Sequence, residues 1–288
     1  MVGFAAGTGG RRMDIQKSNN PTEYLEFERK GWSAHIEGYN DTFGAVTRQT
    51  VEPTLDAANI RGGMRLLDIC CGPGMLSAAA AKRGASAVGL DFPGVVAFAR
   101  ELVPDAEFQS GDATQLPFPD KSFDAIVCGY GIMHVPDAEQ AMREMLRVLR
   151  PGGRVAMTVW NNETPTNGLG LVYAAVKAHA NLNVPMPHAP DIFQFSTRDK
   201  MRNALGSIGF ADVSATPFAQ NWRMKSGRQM LDALHEGTVR SRALLAAQTD
   251  EEIAKIIAYF EQALSGMRTA DGGFNVPMPA IIGSGAKP

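Results

Sequence analysis

The stretch from Arg65 to Phe92, RLLDICCGPGMLSAAAAKRGASAVGLDF, decides the fold. Its first apolar run, Leu66 to Ile69, has the length and the flanks of a buried parallel strand. A turn with two glycines follows, Met75 to Arg83 reads as a helix, and a second apolar run, Ala87 to Leu90, ends on an aspartate. The stretch therefore predicts one β-α-β unit with a glycine-bearing turn at the top of its first strand.

The turn and the acid after the second strand predict a site for a nucleoside-bearing cofactor. A glycine-bearing turn lets a ligand approach the backbone, and the helix N-terminus behind it favours polar or anionic groups. Asp91 lies about twenty residues after the turn, where an acid can accept hydrogen bonds from both ribose hydroxyls. A dinucleotide fingerprint needs G-x-G-x-x-G, but Ser77 stands at the third glycine position, and Asp68 would repel a pyrophosphate.

The pattern D-x-x-x-G-x-G, with Asp91 ending the next strand, resembles motif I and its follower in class I S-adenosylmethionine (SAM) methyltransferases. Cys70 departs from this pattern, since the family usually has glycine there, but a small side chain still fits. The run GDATQLPFPDKSFDAIVCGYGIMHV, with EMLRVLRPGG after it, resembles the ubiquinone/menaquinone C-methyltransferase-like, small-molecule branch of that family. The resemblance covers Leu66 to Trp160 and implies SAM as cofactor, with S-adenosylhomocysteine as the product.

Strands and helices alternate along this part of the chain, which predicts an α/β fold with ligands at the carboxyl ends of the strands. The resemblance implies a doubly wound, mostly parallel seven-stranded sheet, the Rossmann-like methyltransferase fold, with helical lid insertions. Val213 to Met224 reads as the sixth strand and Phe274 to Ile282 as the last strand. Two helices, at about 227–247 and 250–267, separate those two strands.

The chain is expected to have four parts. Residues 1–20 read as a disordered tail and residues 21–63 as a helical cover rich in aromatic side chains. Residues 64–225 and 273–285 form the predicted SAM-binding core, and residues 226–272 form a helical lid or substrate insertion. An apolar stripe in that insertion reads as ordinary packing, and the alternative is a surface for a homo-oligomer. Its members are Ile253, Ile256, Ile257, Phe260 and Leu264.

The resemblance also assigns cofactor-binding roles to matching residues. Asp68 would lie near the amino group of the methionine moiety, Gly72 and Gly74 would let the backbone approach that moiety, and Asp91 would bind the ribose. The candidates for the adenine are Phe92, Asp112 and Ala113, and those for the methionine end are Cys128 and Gly129. Cys70 in the turn is a further cofactor-binding candidate. Trp32 and Tyr39 of the N-terminal cover are expected to fold over the cofactor, and the alternative is that the aromatic residues of this segment anchor its helices to the core.

Methyl transfer from a sulfonium needs little catalytic machinery, because the in-line displacement depends mainly on positioning and desolvation. An acceptor hydroxyl, amine or carbon acid needs a base. His134 follows the fourth predicted strand and is the candidate, and the alternative is a structural histidine at the start of the next helix. The candidate acceptor-binding residues are Tyr130, Trp160, Phe193, Phe195, Trp222, His188 and His235.

Composition narrows the partners to small molecules. The net charge of −2 and the isoelectric point near 6.2 provide no field that attracts a polyanion, which counts against nucleic acid. Three cysteines, two of them adjacent, form no disulfide framework and lack metal-ligand spacing, so we expect a reducing, cytoplasmic setting and no metal. No apolar run approaches the ~20 residues of a membrane span.

The sequence thus predicts a SAM-dependent methyltransferase that acts on a small, partly apolar metabolite. One alternative is an NAD(P)-dependent Rossmann oxidoreductase, which Ser77 and Asp68 disfavour. The other is a SAM-binding regulatory protein without turnover, which the intact set of motifs disfavours. The acceptor, the methylated atom and the oligomeric state are left open by the sequence.

Overall fold

The computed structural model describes residues 21–164 and 167–288, so the tail predicted at residues 1–20 lies outside the described part. The strands are β1 (Arg65–Ile69), β2 (Ser86–Asp91), β3 (Glu107–Ser110), β4 (Phe123–Gly129), β5 (Leu149–Trp160), β6 (Ala211–Phe218), β7 (Asn221–Met224), β8 (Phe274–Pro277) and β9 (Ala280–Ala286). The α-helices are α1 (Pro21–Asp41), α2 (Gly44–Thr47), α3 (Val51–Ala57), α4 (Met75–Lys82), α5 (Pro93–Leu102), α6 (Ala138–Val148), α7 (Gly168–His179), α8 (Arg198–Ile208), α9 (Gly227–Gly237), α10 (Val239–Ala246) and α11 (Asp250–Leu264). Short 3-10 turns lie at Arg48–Thr50, Ile132–His134 and Ser265–Met267.

Seven of these strands form one sheet in the order β3-β2-β1-β4-β5-β9-β6. β1 to β5 pair in parallel, and β9 runs antiparallel to both of its neighbours. The strand order reverses beside β1, so the carboxyl ends of β1 and β4 flank the crevice in which doubly wound sheets bind ligands. The predicted doubly wound, mostly parallel seven-stranded sheet is confirmed.

Both faces of the sheet are covered, which explains the unbroken apolar character of β1. Leu66 packs with Leu55 of α3 and Leu76 of α4 in the cluster on one face. Leu67 belongs to a larger cluster on the opposite face, together with Met145 of α6 and Leu205 of α8. Alternate residues of one strand thus anchor two helical layers, and the ends of the strands are held in fixed positions.

The last third of the fold differs from the sequence prediction, because two predicted strands are each divided. The segment predicted as one strand over 213–224 forms β6 in the main sheet and β7 in a separate two-stranded sheet with β8. The segment predicted over 274–282 likewise supplies β8 to the small sheet and the start of β9 to the main one. Pro277 and Pro279 stand at this second division, and a proline cannot donate to a central ladder.

A helical cap covers the carboxyl ends of the strands. α1 packs against α5, α9 and α10, and α11 packs between α7 and α9. The contact is close, since a Cβ added at Gly31 would lie 2.3 Å from Val239 Cγ1 and one added at Gly38 would lie 2.4 Å from the Glu236 carbonyl oxygen. The helix predicted at 227–247 is interrupted at Thr238, whose extended backbone separates α9 from α10.

The apolar stripe of α11 is buried within this chain. Ile256, Phe260 and Leu264 are each fully buried, and Ile253 and Ile257 pack against the same core. The stripe therefore does not supply the free surface for a second copy that the sequence suggested. Within residues 21–164 and 167–288, no helix is both long enough and apolar enough to cross a membrane.

Candidate active site

The turn after β1 owes its shape to three left-handed residues. Cys70, Gly72 and Gly74 have φ values of 54°, 54° and 81°. Glycine adopts such angles without strain, whereas an L side chain pays about 1–2 kcal/mol. The left-handed angle gives a physical reason why glycine suits the Cys70 position, and in this chain cysteine adopts that angle.

The two glycines have different surroundings. A Cβ added at Gly72 would meet nothing within 4 Å, and Gly72 lines the large cavity of the protein. A Cβ added at Gly74 would lie 2.9 Å from Phe108 Cζ and 3.1 Å from Val103 Cγ2, and Gly74 does not line the cavity. The prediction that a ligand approaches the backbone at Gly74 is therefore corrected, since packing against Phe108 accounts for that glycine.

Asp68 holds the start of α4 against the end of β1. Its Oδ2 accepts hydrogen bonds from the Ser77 amide at 3.1 Å and from the Ser77 hydroxyl at 2.7 Å. Its Oδ1 is buried and has no hydrogen-bond partner. Burial raises the pKa of Asp68 to about 7, and the bonds from Ser77 oppose that shift. The unpartnered oxygen leaves the carboxyl able to accept from a donor at the turn.

Asp91 ties the end of β2 to the same turn. Its Oδ2 accepts from the Gly72 amide at 2.9 Å, and its Oδ1 accepts from the Phe92 amide at 2.7 Å. Burial raises its pKa to about 6. Each carboxylate oxygen has more than one acceptor site, so both can accept a further hydrogen bond from a vicinal diol. The carboxylate is thus fixed beside the loop with acceptor capacity left over.

A cavity of about 970 Å³ opens above the strand ends. α1 forms one wall, and the turns after β1, β2 and β4 form the floor. The remaining wall consists of α7, the segment 182–193 and the helices α9 to α11. The predicted residues that line it are Trp32, Tyr39, Asp68, Cys70, Gly72, Asp91, Phe92, Asp112, Ala113, Gly129, Tyr130, His134, Trp160 and Phe193. Its volume lies at the upper end of the ~300–1,000 Å³ range of ligand sites, which leaves room for two molecules side by side.

Asp112 lies at the edge of this cavity and shapes its own loop. Its Oδ1 accepts from the amide and the hydroxyl of Thr114, at 2.8 Å and 2.7 Å. The side chain is exposed, and no hydrogen bond involving Oδ2 is formed within the described residues. The loop therefore presents one carboxylate oxygen at the cavity edge.

Cys128 lies behind the cavity wall and does not line it. Its side chain is fully buried, and a Cβ added at Gly131 would lie 3.2 Å from its sulfur and 2.3 Å from Cys70 Cβ. The Cys128 thiol and burial together raise the pKa of Cys70 well above its usual range. The Cys70 thiol is consequently protonated at neutral pH. Both side chains serve as packing groups. The prediction that Cys128 lines the methionine end is corrected.

Four of the predicted acceptor-binding residues also lie away from the cavity. Trp222 is buried on β7, where its ring centroid lies 4.4 Å from that of Phe43. Phe195 is buried in the core beside a small depression near α6 and α8. His188 is exposed, and the Nδ1 atom of the partly exposed His235 lies 3.1 Å from Glu236 Oε1.

Aromatic rings form one continuous wall of the cavity. Trp32 contacts Tyr39 edge to face with ring centroids 5.7 Å apart, and Tyr39 stacks on Phe43 at 6.4 Å. Trp160 continues the series, 6.3 Å from Phe43 and 4.4 Å from Tyr130. Flat rings prefer offset or edge-to-face neighbours at such distances. The wall suits a flat apolar ligand.

Tyr130 is held in a strained position at the end of this wall. Its φ of 57° is left-handed, an arrangement that costs about 1–3 kcal/mol and persists where the surroundings enforce it. Its hydroxyl accepts from Gln220 Nε2 at 2.7 Å, and burial raises its pKa well above the usual range. The residue therefore presents a neutral, fixed ring to the cavity.

Glu28 is a site residue that the sequence analysis missed. It lines the cavity on α1, is 2% exposed and accepts from Trp32 Nε1 at 2.8 Å through Oε2. His134 Nδ1 lies 3.3 Å from the same oxygen. A signal was present, because Tyr24, Glu28, Trp32 and Ile36 recur at four-residue intervals and share one face of the helix. A carboxylate inside that apolar series marks an inward-facing charge.

Comparison with known proteins gives the class. A methyltransferase domain matches residues 67–157. The demethylmenaquinone methyltransferase of Renibacterium salmoninarum is 33% identical over 178 residues, which cover 58% of this chain and 75% of that protein. The YcgJ protein of Bacillus subtilis has a TM-score of 0.55 at 21% identity, over 83% of this chain and 98% of that chain. Phosphoethanolamine N-methyltransferase 2 of Haemonchus contortus, solved with S-adenosyl-L-methionine, has a TM-score of 0.56 at 19% identity, over 92% of this chain and 60% of that chain.

The match to the methyltransferase domain and the similarity to demethylmenaquinone methyltransferases confirm the prediction of a SAM-dependent methyltransferase. The chain belongs to the methyltransferase family that contains the demethylmenaquinone methyltransferases. The predictions of a methyltransferase activity and of SAM as cofactor are thereby confirmed. The two structural neighbours named above, at 21% and 19% identity, establish the fold alone.

Proposed function

We propose that this enzyme methylates a small, flat, largely apolar metabolite that carries a hydroxyl group and binds beside SAM in the same cavity. The observation that carries this proposal is the continuity of the cavity from the turn after β1 to the aromatic wall. The polar turn suits the cofactor, and the rings suit the acceptor. The demethylmenaquinone methyltransferase relative, named for a quinone substrate, supports an acceptor of this kind.

The acceptor atoms and the open space at the turn after β1 suit SAM. Asp91 has acceptor capacity for the ribose diol, and the open space beside Gly72 allows a ligand to approach the backbone. The unpartnered Oδ1 of Asp68 would accept from the α-ammonium group. Bound there, SAM supplies an activated methyl group on a sulfonium centre.

The chain's own contribution is to orient the acceptor and to exclude water. Trp32 and Tyr39 on α1 face the cavity together with Ile256 and Phe260 on α11. An environment of this kind removes the solvent shell from a charged sulfonium and holds the acceptor in line with the methyl group. We therefore assign residues 21–63 and 226–272 as the two covers of a core formed by 64–225 and 273–285.

The oxidoreductase alternative has one sequence feature in its favour, but the structure gives it no support. Tyr173 and Lys177 have the Tyr-x-x-x-Lys spacing that short-chain reductases use. Tyr173 lies at the cavity mouth on α7, is 48% exposed, and packs against Phe193. Lys177 is also exposed. The pair therefore lacks the enclosed setting of a catalytic acid.

The proposal is tested by incubating the protein with methyl-labelled SAM and 1,4-dihydroxynaphthalene, a flat acceptor with ring hydroxyls. We expect a labelled product that is one methyl group heavier by mass spectrometry, and none with Asp91→Ala. Asp105→Ala is the matched control, because Asp105 is exposed and lies outside the cavity. Absence of product from this acceptor and from a cell extract of small metabolites would contradict the proposal. Calorimetry with S-adenosylhomocysteine and NAD checks the cofactor separately.

A further inference from the structure

Glu28 is a buried carboxylate with one oxygen left without a partner. Oε2 accepts from the Trp32 indole, whereas Oε1 is buried and forms no hydrogen bond. Its described ion-pair neighbour is His134, whose side chain is 31% exposed and packs edge to face on the Trp32 ring. An unsatisfied buried carboxylate oxygen is costly and calls for a specific explanation. A ligand in the cavity that Glu28 lines provides one.

The other carboxylates of the cavity are engaged in building the protein. Each accepts a hydrogen bond from a backbone amide at a turn or a helix end, and these residues are Asp68, Asp91, Asp112, Asp137 and Asp191. Glu28 accepts no backbone amide, and its partner belongs to the aromatic wall. Glu28 is therefore the cavity carboxylate that is not needed to stabilise a turn or a helix end.

We propose that Glu28 is the catalytic base that accepts the proton of the acceptor's hydroxyl group, and that Trp32 and His134 position its carboxylate. This role rests on the proposed function, because it needs a hydroxyl-bearing acceptor against the aromatic wall. The acceptor's O–H bond breaks, its electron pair stays on the acceptor, and the proton goes to Oε1. The freed electron pair forms the bond from the acceptor oxygen to the methyl carbon as the carbon–sulfur bond breaks and leaves its electron pair on sulfur. Where the ring carbon beside that oxygen takes the methyl group instead, the hydrogen of that carbon then leaves as a proton and the oxygen is reprotonated.

A binding experiment tests the contact without turnover. Protein saturated with S-adenosylhomocysteine is titrated calorimetrically with 2-naphthol and with 2-methoxynaphthalene, which has the same ring but no hydroxyl. A hydrogen bond to a carboxylate should make naphthol bind at least about tenfold more tightly. In Glu28→Gln, which keeps an oxygen for the Trp32 indole, this preference should fall to about threefold or less.

A neighbouring glutamate supplies the matched control. Glu26 lies on the same helix, is 43% exposed and pairs with Arg29 and Lys30, so Glu26→Gln should keep the full preference. Unchanged affinity for S-adenosylhomocysteine shows that each variant is folded. Three results would overturn the role of Glu28: no preference in the wild-type protein, a preference retained in Glu28→Gln, or no binding of either ring.

Turnover supplies a second readout that a purely structural residue would not affect. With 1,4-dihydroxynaphthalene, Glu28→Gln should lower kcat by about 10²- to 10⁴-fold, the usual contribution of a general base. Its rate should recover as pH rises and the acceptor ionises by itself. The titratable groups nearest to Glu28 are Tyr24 and His134. Arg240 lies beside Tyr24, and Asp91 lies beside His134.

The two proposals fail in different ways. A wild-type protein that prefers naphthol through Glu28 but methylates no hydroxylated ring would contradict the proposed acceptor and leave the contact intact. If the wild-type protein and Glu28→Gln methylate dihydroxynaphthalene at the same rate at neutral pH, the proposed function stands. That result would remove Glu28 as the base.

Discussion

Two alanine substitutions in the turn after β1 separate ligand contact from packing. Both Gly72 and Gly74 have positive φ, so alanine at either position should cost about 1–2 kcal/mol of the free energy of unfolding. At Gly74 the added Cβ also lies 2.9 Å from Phe108 Cζ, and such overpacking costs about 1–3 kcal/mol more. We therefore expect a loss of about 1–2 kcal/mol for Gly72→Ala and about 2–5 kcal/mol for Gly74→Ala.

The affinity for the ligand should fall more in Gly72→Ala than in Gly74→Ala, which is the opposite of the order expected for stability. The methyl group of Gly72→Ala enters open space beside the cavity, so S-adenosylhomocysteine should bind at least about tenfold more weakly, a loss of about 1.4 kcal/mol. Gly74→Ala should bind nearly as well as the wild-type protein wherever it is folded. Urea unfolding gives the stabilities and calorimetry the affinities. Normal binding by Gly72→Ala, or equal stability of the two variants, would refute this account of the turn.

Further predictions concern the cofactor and the covers. Asp91→Ala should weaken S-adenosylhomocysteine binding by about 2–4 kcal/mol in calorimetry, because charge-assisted bonds to two hydroxyls are lost; an unchanged affinity would place the ribose elsewhere. Burial raises the pKa of Asp91 to about 6, so its contribution to the stability of the free protein should fall as pH rises from about 4 to 6. Binding needs the ionised carboxylate and should tighten about tenfold from pH 5 to 7.5; a flat profile would contradict this. Hydrogen exchange should show α1 and α9 to α11 protected when S-adenosylhomocysteine and 2-naphthol bind, and protection confined to 66–128 would make these helices packing elements.

The sequence was most informative where function and local structure use the same residues. β2 ends on Asp91 and β4 on Gly129, and Gly72 and Gly111 follow the ends of β1 and β3 closely, so strand ends, turn and cofactor acid could be placed together. The exceptions, Gly74 and Cys128, have the expected positions in the chain. The Cys128 side chain is buried in the core, and the missing side chain of Gly74 makes room for Phe108 rather than for a ligand. A motif reveals neither arrangement.

The rest of the fold depends on long-range contacts that the sequence does not mark. Val213 to Met224 is a β-rich run without an internal signal for leaving one sheet and joining another. The exchange is set by pairing with residues about fifty positions later, such as Met224 with Phe274. Glu28 was missed for a related reason, because EYLEFERKGW contains three glutamates and only the packing of α1 shows which one faces inward.

The most direct test of the site is a crystal structure of the protein with S-adenosylhomocysteine. We expect the ribose hydroxyls to donate to the Asp91 carboxylate and the ligand to pass beside the Gly72 backbone. We also expect free volume to remain against Trp32, Tyr130 and Trp160. A ligand bound outside this cavity, or one whose ribose makes no contact with Asp91, would contradict this assignment of the site.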